Sequence, residues 1–176
     1  GDQESMAARV LREISIPTTQ MKPGDLLYFI SSWKMRGIRP DKAASHAQTD
    51  KEHLAAAAYR RYQHALKAAG AVDFDDLLLC TEQLFIESPE ARRSEAQRFD
   101  HILIDEYQDT NGSQYRIIKG LAVAHRNLCV VGDDDQSIYG WRGAEVEHIL
   151  RFNVDWPDAK VVRLEDNYRS TAEIIA

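Results

Sequence analysis

The sequence predicts an α/β protein in which an all-helical N-terminal part precedes a parallel β-sheet. The apolar run at residues 102–104 has no polar alternation and is typical of a strand buried on both faces of a sheet, and two further apolar strands are predicted at 128–131 and 161–164. Segments with helical periodicity fill the region before them. The order of elements is therefore helical first and α/β second.

The first predicted helix runs from Met21 to Arg36. It has a proline near its start, where a missing N–H is tolerated. Its apolar residues recur at helical spacing and indicate one amphipathic helix: Leu26, Leu27, Phe29, Ile30 and Trp33.

A second, longer helix is predicted from Asp50 to Ala69, ended by Gly70, and residues 37–49 are expected to form a loop. The apolar residues expected on its shared face are Leu54, Ala57, Ala58, Tyr62, Ala65 and Leu66.

A third helix is predicted from Phe74 to Glu87, with Asp73 as its N-cap and two further acids beside the positive end of its dipole. Capping and packing explain these acids without a ligand. A proline at position 89 then breaks the chain before a polar helix that reaches about Arg98. Two subdomains are the simplest interpretation, a helical one at 1–72 and an α/β one at 73–176.

Two adjacent acids, Asp105 and Glu106, follow the first apolar strand. Ligands of parallel sheets bind at the carboxyl ends of the strands. One carboxylate at such an end can hold hydrated Mg²⁺, and the next can orient and deprotonate an attacking water. The alternative is that the two acids open a surface turn and carry no chemistry.

Polar residues also follow the other two apolar runs, at 132–144 and at 165–171. Three runs that end in this way predict a single site at one edge of the sheet. Because clustered acids can bind divalent ions, Asp133 and Asp135 leave a metal-dependent nuclease open as a less favoured alternative.

These motifs resemble those of the UvrD/Rep family of superfamily 1 DNA helicases. Motif II is matched by residues 105–109, motif III by 132–144 and motif IV by 167–171, while residues 73–78 match a further block and 30–34 look like the helical insertion of the family. The resemblance covers nearly the whole chain. It implies part of a RecA-like P-loop NTPase sheet with an N-terminal all-α helical subdomain.

The resemblance also implies a role for each motif residue, with ATP and Mg²⁺ as cofactors. Catalysis is assigned to Glu106, Gln136 and Arg169, and metal binding to Asp105 and Glu106. Nucleotide contacts are assigned to Asp105, Gln136, Tyr168 and Arg169. Stacking or contact with DNA bases is assigned to Tyr139, Trp141 and Arg142. Gln108 and Asp109 are expected to orient the motif II loop through hydrogen bonds.

No Gly-x-x-x-x-Gly-Lys-Ser/Thr phosphate loop occurs in the sequence, in which no glycine is followed by lysine. In the family this loop precedes the helical insertion. The chain is therefore expected to be an internal segment that does not hydrolyse ATP by itself. A non-catalytic module that binds DNA or protein is the alternative function.

The composition narrows the remaining possibilities. The formal net charge of −6 disfavours a generally basic DNA-binding surface, so DNA contact is expected to be local. The resemblance implies that the DNA partners are single strands and duplex junctions. Cys80 and Cys129 are expected to be reduced core residues. No membrane span or signal segment is predicted, which favours a cytoplasmic location. A truncated apolar surface could also cause self-association.

Overall fold

The structure, a computed structural model, describes residues 1–140 and 143–175 of the chain. Its elements occur in the predicted order, helices first and a parallel sheet second, so the predicted α/β class is confirmed. The helices of the first part are α1 (Asp2–Glu13), α2 (Pro23–Met35), α3 (Ala43–His46), α4 (Asp50–Ala68), α5 (Phe74–Glu87) and α6 (Pro89–Ala96). The rest comprises β1 (Ile102–Ile104), α7 (Gly112–Ala122), β2 (Leu128–Val130), α8 (Glu147–Leu150), α9 (Phe152–Asp155) and α10 (Ala172–Ile175).

The hydrophobic core lies among α1, α2, α3 and α4. The predicted face of α2 is confirmed, because Leu26, Ile30 and Trp33 are buried. The predicted face of α4 is confirmed for Ala58, Tyr62 and Leu66, which are buried, and is wrong for Ala57, which is exposed. Tyr59, which was not predicted, is fully buried and stacks on the Trp33 ring at 6.0 Å. Helix α1, which the sequence analysis did not predict, covers this core, and α3 lies within the predicted loop.

The N-terminus of α5 is built as predicted. Asp73 accepts a hydrogen bond from the Asp76 backbone N–H at 2.9 Å, and the two residues form a capping box. Both carboxylates also lie 2.7 Å from Nζ of Lys34, and all three side chains are almost fully buried. The acids of this block thus cap a helix and neutralise a buried lysine from α2, which confirms their structural interpretation.

Strands β1 and β2 pair in parallel, with Ile102 opposite Leu128 and Leu103 opposite Cys129. The prediction that β1 is buried on both faces is wrong, because Leu103 is 74% exposed and Cys129 is exposed beside it. Paired residues point to the same face of a sheet, so this face of the described sheet is open at Leu103 and Cys129. The prediction that both cysteines are core residues is also wrong, because Cys129 is exposed on β2 and Cys80 is exposed on α5.

The third predicted strand, at 161–164, is not formed. These residues are exposed and belong to no strand, so the described sheet has two strands. A strand needs a hydrogen-bonding neighbour, and the segment finds none among the described residues. The predicted boundary between residues 72 and 73 stays a prediction, since α5 contacts both α2 and α7.

No helix in the described part of the chain is long and apolar enough to cross a membrane.

Candidate functional site

The two acids after β1 lie at the carboxyl end of the sheet, as expected for a ligand site. Both Asp105 and Glu106 are exposed, and Oδ1 of Asp105 accepts a hydrogen bond from the Glu106 backbone N–H at 2.9 Å. Glu106 has a left-handed backbone, with φ 51° and ψ 44°. This conformation costs on the order of 1–3 kcal/mol for a residue other than glycine and is concentrated at functional sites. The turn presents two successive carboxylates to solvent.

The loops after β1 and β2 are joined by backbone hydrogen bonds. The N–H of Val131 donates to the carbonyl of Ile104 at 2.8 Å, and the N–H of Tyr107 donates to the carbonyl of Val131 at 2.9 Å. Tyr107 is buried, which raises the pKa of its hydroxyl to about 12 and keeps it neutral. The polar residues that follow the two strands are therefore held side by side.

Gly132 allows this close approach. A Cβ at this position would lie 2.6 Å from Oε1 of Gln108, 2.8 Å from Cδ1 of Ile149 and 3.2 Å from the backbone nitrogen of Tyr107. The first two distances are shorter than real carbon contacts, so a side chain here would displace the packing. The glycine is needed for space, because its φ is ordinary.

The side chain of Gln108 connects the loop after β1 to the loop after β2. It is 1% exposed, its Nε2 donates to Oε2 of Glu106 at 2.7 Å, and its Oε1 accepts from the Asp133 backbone N–H at 3.0 Å. The expectation that Gln108 orients the motif II loop agrees with these contacts. Asp109 differs, because its Oδ1 is buried without a hydrogen-bond partner among the described residues.

Gln136 ends a short 3-10 turn, Asp134–Gln136, after the second strand. It is exposed, and its Nε2 donates to Oδ2 of Asp133 at 2.6 Å, while Oδ1 of Asp133 accepts from the Asp135 backbone N–H at 3.1 Å. Both oxygens of Asp133 thus stabilise their own turn. The nuclease alternative stays a prediction, because a carboxylate oxygen that accepts one hydrogen bond can still bind a metal ion.

The residues present fit a magnesium ion that is shared with a nucleotide. The described residues contain no group of three or more His, Cys, Asp or Glu side chains that could enclose a metal. Mg²⁺ retains several waters and is commonly bound by one or two carboxylates plus phosphate oxygens. The exposed carboxylates of Asp105 and Glu106 suit that open arrangement.

Tyr168 and Arg169 do not join this site in the structure. Tyr168 is 92% exposed and its hydroxyl donates to Asp166 at 3.2 Å, while Oδ1 of Asn167 accepts from the backbone N–H groups of Arg169 and Ser170. Every hydrogen bond of this segment is local. The family resemblance assigned these two residues to the nucleotide, and that assignment stays a prediction.

The predicted DNA-contacting residues lie on the segment that follows Gln136. Trp141 and Arg142 fall outside the residues that the structure describes. Tyr139 is partly exposed, and its carbonyl accepts from the Ala144 N–H at 3.3 Å. The segment is tied back to the loop after β1 by a bridge between Asn111 and Ala144. The bridge places Ala144 beside the end of the first loop.

Two contributions to the site were missed by sequence reasoning. Asn111 caps α7 in a capping box with Gln114, and an Asn followed three residues later by Gln was the available signal. The second is Ser137, whose hydroxyl donates to the backbone carbonyl of Gln108 at 3.4 Å. No sequence signal predicted this contact, because the two residues are 29 positions apart.

Comparisons with known proteins identify the family of the chain. The family described as UvrD/REP helicase N-terminal domain matches residues 1–157. A probable DNA helicase II homolog from Rickettsia felis is 44% identical over 99% of this chain and 27% of its own length. An ATP-dependent DNA helicase PcrA from Staphylococcus epidermidis is 43% identical over 99% and 24%, and a DNA helicase II from Rickettsia typhi is 47% identical over 92% and 25%. The chain spans about a quarter of the length of these relatives.

Proposed function

The chain belongs to the UvrD/REP helicase N-terminal domain family, and on this premise we propose that it is the part of an ATP-dependent DNA helicase that activates the hydrolytic water. The parent couples ATP hydrolysis to 3′–5′ movement on single-stranded DNA and at duplex junctions, in repair or replication in the cytoplasm. The observation that carries the proposal is the exposed pair Asp105 and Glu106 at the carboxyl end of a parallel strand, with Glu106 held by Gln108.

Each residue then has a chemical task. Asp105 helps to hold the hydrated Mg²⁺, which neutralises phosphate charge when bound. Glu106 accepts the proton of the attacking water. The Gln136 amide can donate to a γ-phosphate oxygen and accept from water, so it can report whether the nucleotide is intact. Its Nε2 carries two hydrogens, so one can donate to the phosphate while the other still donates to Asp133.

The remaining assigned residues act when the rest of the helicase is present. Arg169 stabilises charge on the transferring phosphoryl group, and Tyr168 packs near the nucleotide base. Tyr139, Trp141 and Arg142 stack on or contact single-stranded DNA. Because the last three follow Gln136 within a few residues, one segment connects the state of the phosphate to the grip on DNA.

The test is a chimera in which this chain replaces the matching quarter of the Staphylococcus epidermidis relative. We expect ATP hydrolysis stimulated by single-stranded DNA. Glu106→Gln should lower kcat by roughly 100-fold to 10,000-fold, the usual contribution of general acid–base catalysis, and should spare ATP binding. Glu90→Gln, a change at an exposed acid on α6, is the matched control and should leave kcat unchanged.

A folded chimera that binds ATP and DNA without hydrolysis would favour the non-catalytic module. Hydrolysis that survives Glu106→Gln would remove the assignment of Glu106 as base. The isolated chain, which contains no phosphate loop, should not hydrolyse ATP.

A further inference from the structure

We propose that Gln108 is a positioning residue that makes the orientation of Glu106 depend on the loop that carries Gln136. The inference rests on the proposed function, because it matters only if Glu106 activates water. It starts from an unusual arrangement, in which a nearly fully buried amide holds a solvent-exposed carboxylate at one end and a backbone N–H of another loop at the other.

The two hydrogen bonds fix the amide in one orientation. A carboxylate can only accept and a backbone N–H can only donate, so Nε2 must face Glu106 and Oε1 must face Asp133. A flipped amide would oppose acceptor to acceptor and donor to donor. Gln108 therefore cannot keep both partners if either one moves away.

The loop of Gln136 is attached to Gln108 on both sides. Asp133 precedes the 3-10 turn, and its backbone N–H donates to the side-chain Oε1 of Gln108 at 3.0 Å. Ser137 follows the turn, and its hydroxyl donates to the backbone carbonyl of Gln108 at 3.4 Å. Gly132 packs against the same amide, with no room for a Cβ. A shift of the turn must strain or break at least one of these contacts.

The consequence falls on Glu106. Its side chain is exposed, and its carboxylate has one hydrogen bond among the described residues, the bond from Gln108 to Oε2. That bond selects one orientation and leaves Oε1 as the oxygen available to water. When Gln136 responds to the γ-phosphate, the loop moves, and Gln108 carries the movement to the carboxylate. The base is thus aligned only in one state of the loop.

The first test measures hydrolysis in the chimera. Gln108→Met keeps the side-chain length but removes both hydrogen bonds. It should lower kcat roughly 10-fold to 100-fold, as expected for a displaced catalytic group, with little change in KM for ATP. In a Glu106→Gln background the same change should add little, because both act on one step.

Gln63→Met is the matched control. Gln63 also has a bonded amide, since its Nε2 donates to Oδ2 of Asp76 at 2.9 Å, but it lies on α4, in the helical part of the chain. It should lower stability and spare kcat. A Gln108→Met variant that keeps its kcat, or one that loses no more kcat than Gln63→Met, would overturn the proposal.

The second test needs no activity and uses this chain as it is. Hydrogen exchange at the Asp133 amide should accelerate in Gln108→Met and also in Glu106→Ala, where Gln108 has lost its anchor, while amides in the core of α4 report global opening. Unchanged exchange in Glu106→Ala would overturn the link. Accelerated exchange in a chain whose chimera does not hydrolyse ATP would support the link and count against the proposed function.

Discussion

The helical part of the chain and the part that carries the candidate site bury their apolar side chains differently. The main core cluster lies within residues 7–66, among helices α1 to α4. After residue 98, many large apolar side chains are exposed, among them Leu103, Leu150, Val154 and Leu164. The helices thus close their own core, whereas the sheet keeps an open apolar face. Such a face is typical of a surface that contacts protein, as in the expected self-association.

The two parts also differ in how they treat charge. In the helical part, Lys34 is buried between Asp73 and Asp76, and the rings of Tyr59 and Tyr62 lie 5.9 and 5.5 Å from its Nζ. Burial raises the pKa of both tyrosine hydroxyls, which remain neutral. At the candidate site the carboxylates of Asp105 and Glu106 are exposed, and the buried side chain that holds Glu106 is the neutral amide of Gln108. Buried charge here holds two helices together, while the charge proposed for chemistry stays accessible.

The largest expected effect is on the buried charge cluster. Lys34→Met would leave two buried carboxylates without a counter-charge, and removing one partner of a buried ion pair costs about 3–5 kcal/mol. Urea unfolding followed by circular dichroism measures the loss. Lys51→Met is the control, because its pair with Asp25, at 3.0 Å, is exposed and should contribute little. Equal effects of the two changes would show that the cluster is not a buried, mutually dependent unit.

The next largest effect is expected from a leucine-to-alanine change, which we compare in the helical core and on the open face of the sheet. Leu26→Ala removes a fully buried side chain and should cost about 2–5 kcal/mol in the free energy of unfolding. Leu103→Ala should cost far less, because that side chain is mostly in water. It should also weaken any self-association of the isolated chain, which sedimentation velocity measures. A large loss of stability in Leu103→Ala would mean that the open face of the sheet is covered.

The difference between the two parts also explains what the sequence could predict. Helix α2, the cap at Asp73 and the acids after β1 follow from local patterns, and the structure has them. Exposure of Cys129 and the unformed strand at 161–164 depend on neighbours that a local pattern cannot supply. The motifs located Asp105, Glu106 and Gln136. The bonds from Gln108 to Asp133 and from Lys34 to Asp73 join residues 25 and 39 positions apart, and only the fold brings them together.

Effects of intermediate size on stability are expected from glycine-to-alanine changes, one in each part of the chain. Gly132→Ala would force a Cβ against Gln108 and Ile149, so we expect a loss of about 1–3 kcal/mol, typical of overpacking. Gly24→Ala places a Cβ in the first turn of α2 with no atom within 4 Å, and should stabilise by about 0.4–1 kcal/mol through the unfolded state. Thermal unfolding of both variants measures the signs. A neutral Gly132→Ala would contradict the tight contact between the two loops.

The smallest expected effect is a pH dependence confined to the α/β part. His148 stacks on Tyr115 at 4.2 Å, its Nε2 is buried without a hydrogen bond among the described residues, and burial lowers its pKa below the usual value. The unfolded chain therefore binds a proton more readily than the folded one. Stability from this group is present above about pH 6.5 and is lost as the pH falls through the folded pKa. His148→Gln should flatten that part of the stability curve, whereas His46→Gln, at an exposed histidine of α3, should not.

An unchanged curve in His148→Gln would mean that His148 titrates alike in the folded and unfolded chains. The acid sensitivity would then belong to carboxylates such as Asp155, whose pKa is lowered by its hydrogen bond from Lys119.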